Sequence, residues 1–246
     1  MSINLRTLLS NTVTAIKNKL NIDSFTWGEF DNKLEEAVNG ADAFSKRLFE
    51  DPTIRIKFQG GQHRLDGESG NLAADVDLVI PEGIEEIRKG LFSDARDIKS
   101  ITFPNTLKII RQEAFGQIFV ATPLQITFGN KLEIIESKAF WNSSMETLVF
   151  PDSLKRIEDD AFEDCHHRLE SVKMGSGINY IGSGAFVACS KLKEVDFSKC
   201  SAVPECRDNA FYNCSDDLKI KVPSALLSQW KAAPIWKTYA DKIVGV

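Results

Sequence analysis

Apolar and polar positions recur along most of this chain in a fixed phase. Six segments share the order apolar-x-x-apolar-x-x-x-(Ala or Leu)-Phe: "IEEIRKGLF" from Ile84, "LKIIRQEAF" from Leu107, "LEIIESKAF" from Leu132, "LKRIEDDAF" from Leu154, "INYIGSGAF" from Ile178 and "VPECRDNAF" from Val203. Their phenylalanines, Phe92, Phe115, Phe140, Phe162, Phe186 and Phe211, are spaced by 23, 25, 22, 24 and 25 residues. A second motif falls between them: "IKSITFP" from Ile98, "LQITFG" from Leu124, "METLVFP" from Met145, "LESVKMG" from Leu169, "LKEVDFS" from Leu192 and "LKIKVP" from Leu218, with "DLVIP" ending at Pro81 as an earlier copy. Alternating runs rich in Ile, Val and Phe, mostly closed by Pro or Gly, predict half-buried strands followed by turns.

One strand per 22–25 residues is too short a period for a βαβ unit of about 30. It fits a solenoid coil: a strand, a turn, a tight helical or 3₁₀ segment carrying Ala-Phe, and a return. One coil cannot bury its Leu, Ile and Phe, whereas stacked coils place each column against the next. The Ala before the later Phe residues is small and lets neighbouring backbones approach, and the Phe fills the wide side. The predicted fold is an α/β solenoid of about six to seven coils with one parallel sheet over residues 76–223.

The two ends break the pattern. Leu5, Leu8, Leu9, Val13, Ile16 and Leu20 share one helical face. Thr26 and Glu29 form a capping box inside a Phe25–Phe30 hydrophobic staple, Leu34 and Val38 continue the stripe, and Asn39-Gly40 stops it. Residues 4–20 and 27–38 are therefore expected as a helix pair in a 1–48 attachment or oligomerisation module. Its apolar face, including Leu5, Leu9, Ile16, Leu20, Phe30 and Leu34, is too large for so small a unit to bury. Residues 49–75 are a connector or N-terminal cap. Residues 224–246, with Leu226, Leu227, Trp230, Ile235, Trp236, Tyr239 and Ile243, are a C-terminal helical cap closing the last coil.

Composition adds mainly exclusions. A 246-residue chain, 43% apolar and 26% charged, has room for a sizeable core. A net charge of −5 with no basic cluster argues against nucleic-acid binding. No apolar run approaches the roughly 20 residues needed to span a bilayer, and the N-terminus lacks a secretory signal pattern. No membrane contact and synthesis in a cytoplasm are expected. Five cysteines, an odd number with no CxxC pair, argue against a disulfide framework.

"EDDAFEDCHHRLESV" places Cys165, His166 and His167 side by side, the chain's most evident candidate for metal or catalytic chemistry. The repeat supplies another reading. Cys165, Cys189 and Cys214 each lie three residues after a repeat Phe, where earlier coils have Ala95, Ile118 and Ser143. That column calls for a small buried side chain, for which free Cys serves. The histidines then fall in a solvated turn, their side chains expected to point apart. A disulfide along the cysteine column is a rival reading. Glu158-Asp159-Asp160 and Asp216-Asp217 lack calcium-loop spacing and read as turn charges. "GSGINYIGSG" is a pair of turns, not a phosphate cradle, and His63 a loop residue. No cofactor and no catalytic motif is predicted.

The repeat resembles the BspA-like leucine-rich repeat. Its consensus "IxFPxxLxxIxxxAFxxCxxLxxI" is matched by "ITFPNTLKIIRQEAF" from Ile101 and "LVFPDSLKRIEDDAFEDCHHRLESV" from Leu148. Departures are the longer "GQIFVATP" from Gly116 and Cys206 in an Ile column. The C-terminal segment is similar to the "VPxxLxxxYKxAxxWxxYAxxI" ending of such proteins, and "FTWGEFDNKLEEA" resembles an N-terminal module of tailed-phage structural proteins. These resemblances imply a non-enzymatic interaction protein carried on a virion, in a tail, baseplate or head fibre. The helices would bind other virion proteins or a second copy, giving a homo-oligomer. The repeat face would meet a host surface protein or glycan. A bacterial scaffold or adhesin is the alternative, and a metal-dependent enzyme using the Cys165-His166-His167 patch is a third reading. The residues expected to bind are the outward strand row Thr102, Thr127, Val149, Lys173, Asp196 and Lys221, with the turn aromatics Phe119, Trp141 and Tyr212.

Overall fold

The computed structural model describes residues 76–246 apart from 81, 94, 96–97 and 119–121. The attachment helices, the connector, His63 and Phe119 lie outside the described residues. Each coil contributes two strands, one on each of two faces. The longer strands are β1 (Val76–Val79), β3 (Ile98–Thr102), β5 (Gln125–Thr127), β7 (Thr147–Val149), β9 (Ser171–Lys173), β11 (Glu194–Asp196) and β13 (Lys219–Val222). Two-residue strands form the other face: β2 (Glu86–Ile87), β4 (Ile109–Ile110), β6 (Ile134–Ile135), β8 (Arg156–Ile157), β10 (Tyr180–Ile181) and β12 (Glu205–Cys206). Pairing is parallel throughout.

The expectation of one sheet is corrected to two faces. The short strands form a continuous six-stranded sheet, and the longer ones a three-stranded and a five-stranded sheet. The two parts of the longer-strand face meet at an isolated bridge between Leu124 and Met145. The second face exists because the Leu-x-x-Ile stretch of each coil is also extended. Its outer residue pairs coil to coil while Ile87, Ile110, Ile135, Ile157 and Ile181 point inward, each 0% exposed. The molecule is a parallel β-solenoid.

The helical segment expected in each coil is also corrected: the Ala-Phe stretches are turns. The backbone explains why. Gly90, Glu113, Lys138, Asp160, Gly184 and Asn209, each two residues before a repeat Phe, all have φ between 57° and 62°. Gln117, Asn142, Asp164, Ala188 and Asn213, two residues after, have φ between 52° and 62°. A left-handed residue on each side of the Phe ends any helix before it completes a turn. These bends aim backbone N–H groups along the stack. The Phe N–H donates to the next coil's Ala carbonyl, from Phe92 to Ala114 (2.8 Å) through Phe186 to Ala210 (2.8 Å). The left-handed residues donate likewise, as Lys138 to Asp159 and Asp164 to Val187. For a residue with a Cβ, the left-handed conformation costs about 1–2 kcal/mol. Ala188→Gly is therefore expected to stabilise the fold by about 1 kcal/mol, raising the thermal midpoint by about 2–4 °C. Scanning calorimetry checks this, and an unchanged or lower midpoint would show that the site carries no such strain.

The core runs along the axis as columns. Phe92, Phe115, Phe140, Phe162, Phe186 and Phe211 stack face to face at centroid separations of 5.0, 5.3, 5.3, 5.2 and 5.5 Å, with interplanar angles of 11° or less. Phe103, Phe128, Phe150, Met174 and Phe197, which follow the longer strands, form a neighbouring column, with Phe103 edge-on to Phe115 at 5.3 Å. The glycines after the strands hold the coils close. A Cβ on Gly175 would run into the Pro151 carbonyl, and one on Gly182 into the backbone at Glu158–Asp159.

The cap over the last coil is only partly helical. It comprises the 3₁₀ turn Ser224–Leu226, the helix α1 (Leu227–Ala232), a second 3₁₀ turn Trp236–Tyr239, and β14 (Ile243–Gly245). β14, absent from the sequence reading, adds a parallel strand beside β13. Trp230 and Trp236 fill the end of the core against Phe197 at 4.9 and 5.4 Å. The Trp236 Nε1–H donates to Pro204 O at 2.7 Å. The Phe211 N–H, with no further coil to receive it, donates to the Tyr239 hydroxyl at 3.2 Å. Tyr239 thus stands in for the carbonyl that a seventh Ala-Phe turn would supply.

Candidate functional site

The alternation of the longer strands turns one row inward and leaves two outward. Thr102 pairs with Thr127, Val149 with Lys173, Lys173 with Asp196, and Asp196 with Lys221, so the predicted row is a physical one. Val79 extends it beside Thr102. At a strand spacing of about 4.8 Å, seven strands span about 29 Å. The row differs along its length. Thr102, Thr127, Val149 and Lys173 are exposed, and their side chains make no hydrogen bond or ion pair among the described residues. Val149 is 58% exposed and Val79 53%. Asp196 and Lys221 are half-buried and engaged: the Asp196 carboxylate accepts the Ser198 N–H at 2.8 Å, and Lys221 Nζ lies 2.7 Å from Glu194. The second outward row is hydroxyl-rich, with Ser100 bonded to Asp77 at 2.6 Å and Ser171 to Thr147 at 3.2 Å.

On the short-strand face the charges are spent on one another. Lys108 pairs with Glu85 at 3.0 Å and Lys155 with Glu133 at 2.9 Å. Arg111 bridges Glu86 at 2.8 Å and Glu136 at 2.6 Å. Hydrogen bonds that Arg111 donates to Glu86 first and Glu136 second hold its guanidinium above the ordinary pKa. Arg156 lies over the Tyr180 ring at 3.8 Å and bonds Glu158 at 2.6 Å. Exposed pairs of this kind contribute little stability each, but they fix coil register and leave few free groups for a partner.

The turn aromatics divide. Tyr212 is 64% exposed. Trp141 is half-buried, its indole lying where a Cβ on Gly116 would be. It packs locally.

The Cys165-His166-His167 patch does not converge. Cys165 is fully buried and its Sγ donates inward to Phe140 O at 3.3 Å. Cys189 and Cys214 do the same to Phe162 O and Phe186 O at 3.2 Å, and Ser143 Oγ to Phe115 O at 2.9 Å. In these four coils the column does more than fill space: a thiol or hydroxyl supplies a proton to a repeat-Phe carbonyl, whereas Ala95 and Ile118 only pack. All five cysteines are free. His166 and His167 lie outside the core and do not point apart as expected. Their rings approach to 3.7 Å, and His166 Nδ1 lies 2.7 Å from Asp164 Oδ1. Among the described residues, no group of three or more His, Cys, Asp or Glu is placed to hold a metal ion. In the acidic run, Asp159 Oδ1 accepts the Ser183 N–H at 2.7 Å, a turn-to-turn bond.

Burial raises Cys206 and Cys214 from the ordinary 9.0 to about 12 and Cys200 to about 11, and raises Cys189 as well. A thiol-specific disulfide reagent at pH 8 is expected to label the native protein at less than about a tenth of its rate on unfolded chain. Rapid native labelling would contradict the buried column. The sign with pH follows: the unfolded chain loses these protons near 9 while the folded one retains them, so stability falls as pH rises from 9 toward 12.

Comparison with known proteins agrees with the geometry. No curated protein sequence matches the chain. Among solved structures, the pneumococcal vaccine antigen PcpA is similar at 19% identity and a TM-score of 0.53, covering 69% of this chain and 39% of that one. This chain thus spans well under half of that antigen's chain. A T. pallidum leucine-rich repeat protein matches at 18% identity and a TM-score of 0.39, over 70% of this chain and 85% of its own. A leucine-rich cell surface protein from Faecalibacterium prausnitzii matches at 20% identity and a TM-score of 0.34, over 62% and 55% of the two chains. The model of the BspA-type leucine-rich repeat region matches in six copies over residues 76–124 and 119–229. With its Phe ladder, donor column and two parallel faces, the chain belongs to the BspA-type leucine-rich repeat family.

Proposed function

We propose that this chain is a non-enzymatic interaction protein that binds a partner through its longer-strand face. One observation carries the reading: the paired residues Thr102 and Thr127, and Val149 and Lys173, are exposed, and their side chains have no hydrogen bond or ion pair among the described residues, while the opposite face is tied up in coil-to-coil ion pairs. A row of hydroxyls, an aliphatic side chain and a free cation suits a folded protein or glycan on a cell surface. Repeat solenoids offer such extended faces to partners. An adhesin role is in keeping with the vaccine antigen that shares the fold. The test is binding of the full chain to intact host and bacterial cells. Val149→Arg combined with Lys173→Glu should reduce binding at least tenfold with an unchanged thermal midpoint. Undiminished binding would refute the reading.

Carriage on a phage particle, with made-in-cytoplasm localisation, self-association and virion partners, is the finer reading. It rests on the two resemblances, of the repeat and of the N-terminal helix pair, taken together. A chain lacking residues 1–48 should stay monomeric and fail to enter particles while still binding cells. Normal particle entry or retained self-association would remove the attachment role.

A further inference from the structure

We propose that the cleft between the last coil and the cap is a binding site for a short neutral saccharide. It has a volume of about 460 Å3 and is lined by Asp208, Asn209, Tyr212, Ile235, Thr238 and Tyr239, within the range of small-ligand pockets (about 300–1,000 Å3). The inference goes beyond the strand-face reading and does not depend on it.

The cleft exists because the stack stops there. In the earlier coils, the left-handed residues on either side of the Phe donate their N–H groups to the next coil, as Gly184 does to Asp208 O and Ala188 to Tyr212 O. In the last coil the equivalent residues are Asn209 and Asn213, with φ of 60° and 58°. Their N–H groups have no acceptor among the described residues. Tyr239 satisfies only the Phe211 N–H between them. The Asp208 carboxylate makes no hydrogen bond or ion pair among the described residues, and the Tyr212 ring is 64% exposed.

The far wall is built by an unusual backbone. Ile235 has φ 63° and ψ −49°, and the Trp236 N–H donates to Pro234 O at 2.7 Å across it. This is the positive-φ γ-turn, rare and strained, and rarer still for a β-branched residue. Such strain concentrates at ligand clamps and active sites. The turn lets Trp236 enter the core while Ile235 lines the cleft. The Thr238 hydroxyl donates to Ile235 O at 2.6 Å, which braces the turn and leaves its oxygen able to accept.

The chemistry on offer in the cleft is an aromatic face, a carboxylate acceptor, the Asn209 N–H donor and a hydroxyl. A hexose presents the complement: a C–H face for the ring, hydroxyl protons for Asp208, and a hydroxyl oxygen for the Asn209 N–H. The uncompensated carboxylate disfavours an acidic sugar.

Saturation-transfer NMR on the full chain tests this, with the methyl glycosides of glucose, galactose, mannose and N-acetylglucosamine, and N-acetylneuraminic acid as the acidic probe. At least one neutral glycoside should receive saturation and the acidic probe none. Tyr212→Ala and Asp208→Asn, both at exposed positions, should each weaken binding about tenfold or more, while Lys131→Ala, in an exposed turn of an earlier coil, leaves it unchanged. The proposal is overturned if no neutral glycoside binds, or if binding survives both variants undiminished. It is equally overturned if Tyr212→Ala instead abolishes a concentration-dependent dimer without any saccharide binding. That result would make the cleft an end-to-end contact between copies.

Discussion

Replacing Phe162 by alanine is expected to remove about 3–5 kcal/mol of stability and to lower the thermal midpoint by roughly 6–20 °C. Phe162 is fully buried, stacked on Phe140 at 5.3 Å and Phe186 at 5.2 Å, with Phe150 at 5.6 Å. The Ala side chain fills none of that space, and the coils on either side are held apart by their own hydrogen bonds, so the cavity cannot collapse. The ladder also couples neighbours, because a coil contacts mainly the coil before and after it. The loss should therefore show as a broadened, less cooperative transition as well as a lower midpoint. Phe162→Leu keeps most of the volume and loses chiefly the two stacking contacts, about 0.5–1.5 kcal/mol each, and should fall between the two. A loss under about 1 kcal/mol for Phe162→Ala in calorimetry would mean that the ladder is not what holds the coils together.

Trp236→Ala should cost a similar gross amount but show it elsewhere. It removes an indole packed on Phe197, Trp230 and Phe211 at 5.4, 4.6 and 5.9 Å and leaves the buried Pro204 carbonyl without its donor. The cavity term is about 3–5 kcal/mol, with about 1–3 more for the orphaned acceptor. At the end of a one-dimensional stack such a loss is met by fraying. Hydrogen exchange should accelerate over residues 203–246 by two orders of magnitude or more, while β4 to β8 stay protected. Uniform acceleration along the whole chain would contradict the cap assignment.

The long-range order of the fold was legible because one column is nearly invariant in type: a Phe every 22–25 residues announces a stack before any strand is assigned. The outward row followed from period-two alternation in the longer strands. The second sheet was not legible, since two residues are too few to show alternation and its outer positions mix Glu86, Ile109, Ile134, Arg156, Tyr180 and Glu205. The absence of helix in the coils had a partial signal: Asp, Asn and Gly, which tolerate positive φ, recur two residues from the Phe. Glu113, Lys138, Gln117 and Ala188 at the same places obscured it, because coil-to-coil hydrogen bonds override their own preference. Cys165 shows the same limit in chemistry. Its column identified it as buried, but only coordinates reveal that Ser143, Cys165, Cys189 and Cys214 share a hydrogen bond to a Phe carbonyl rather than a mere size. Tyr212 was marked as an exposed aromatic by its place in a turn; the cleft beside it depends on where the cap settles, which no local pattern encodes.

The placement of function on the longer-strand face is tested most directly by site-specific photocrosslinking of the full chain bound to cells. A benzoylphenylalanine at Thr127 or at Val149 reports the longer-strand face, and one at Ile109 or at Ile134 reports the short-strand face. Covalent adducts to one cell-surface partner should form from Thr127 and Val149 and not from Ile109 or Ile134. Adducts confined to the short-strand positions, or equal from both faces, would contradict the assignment.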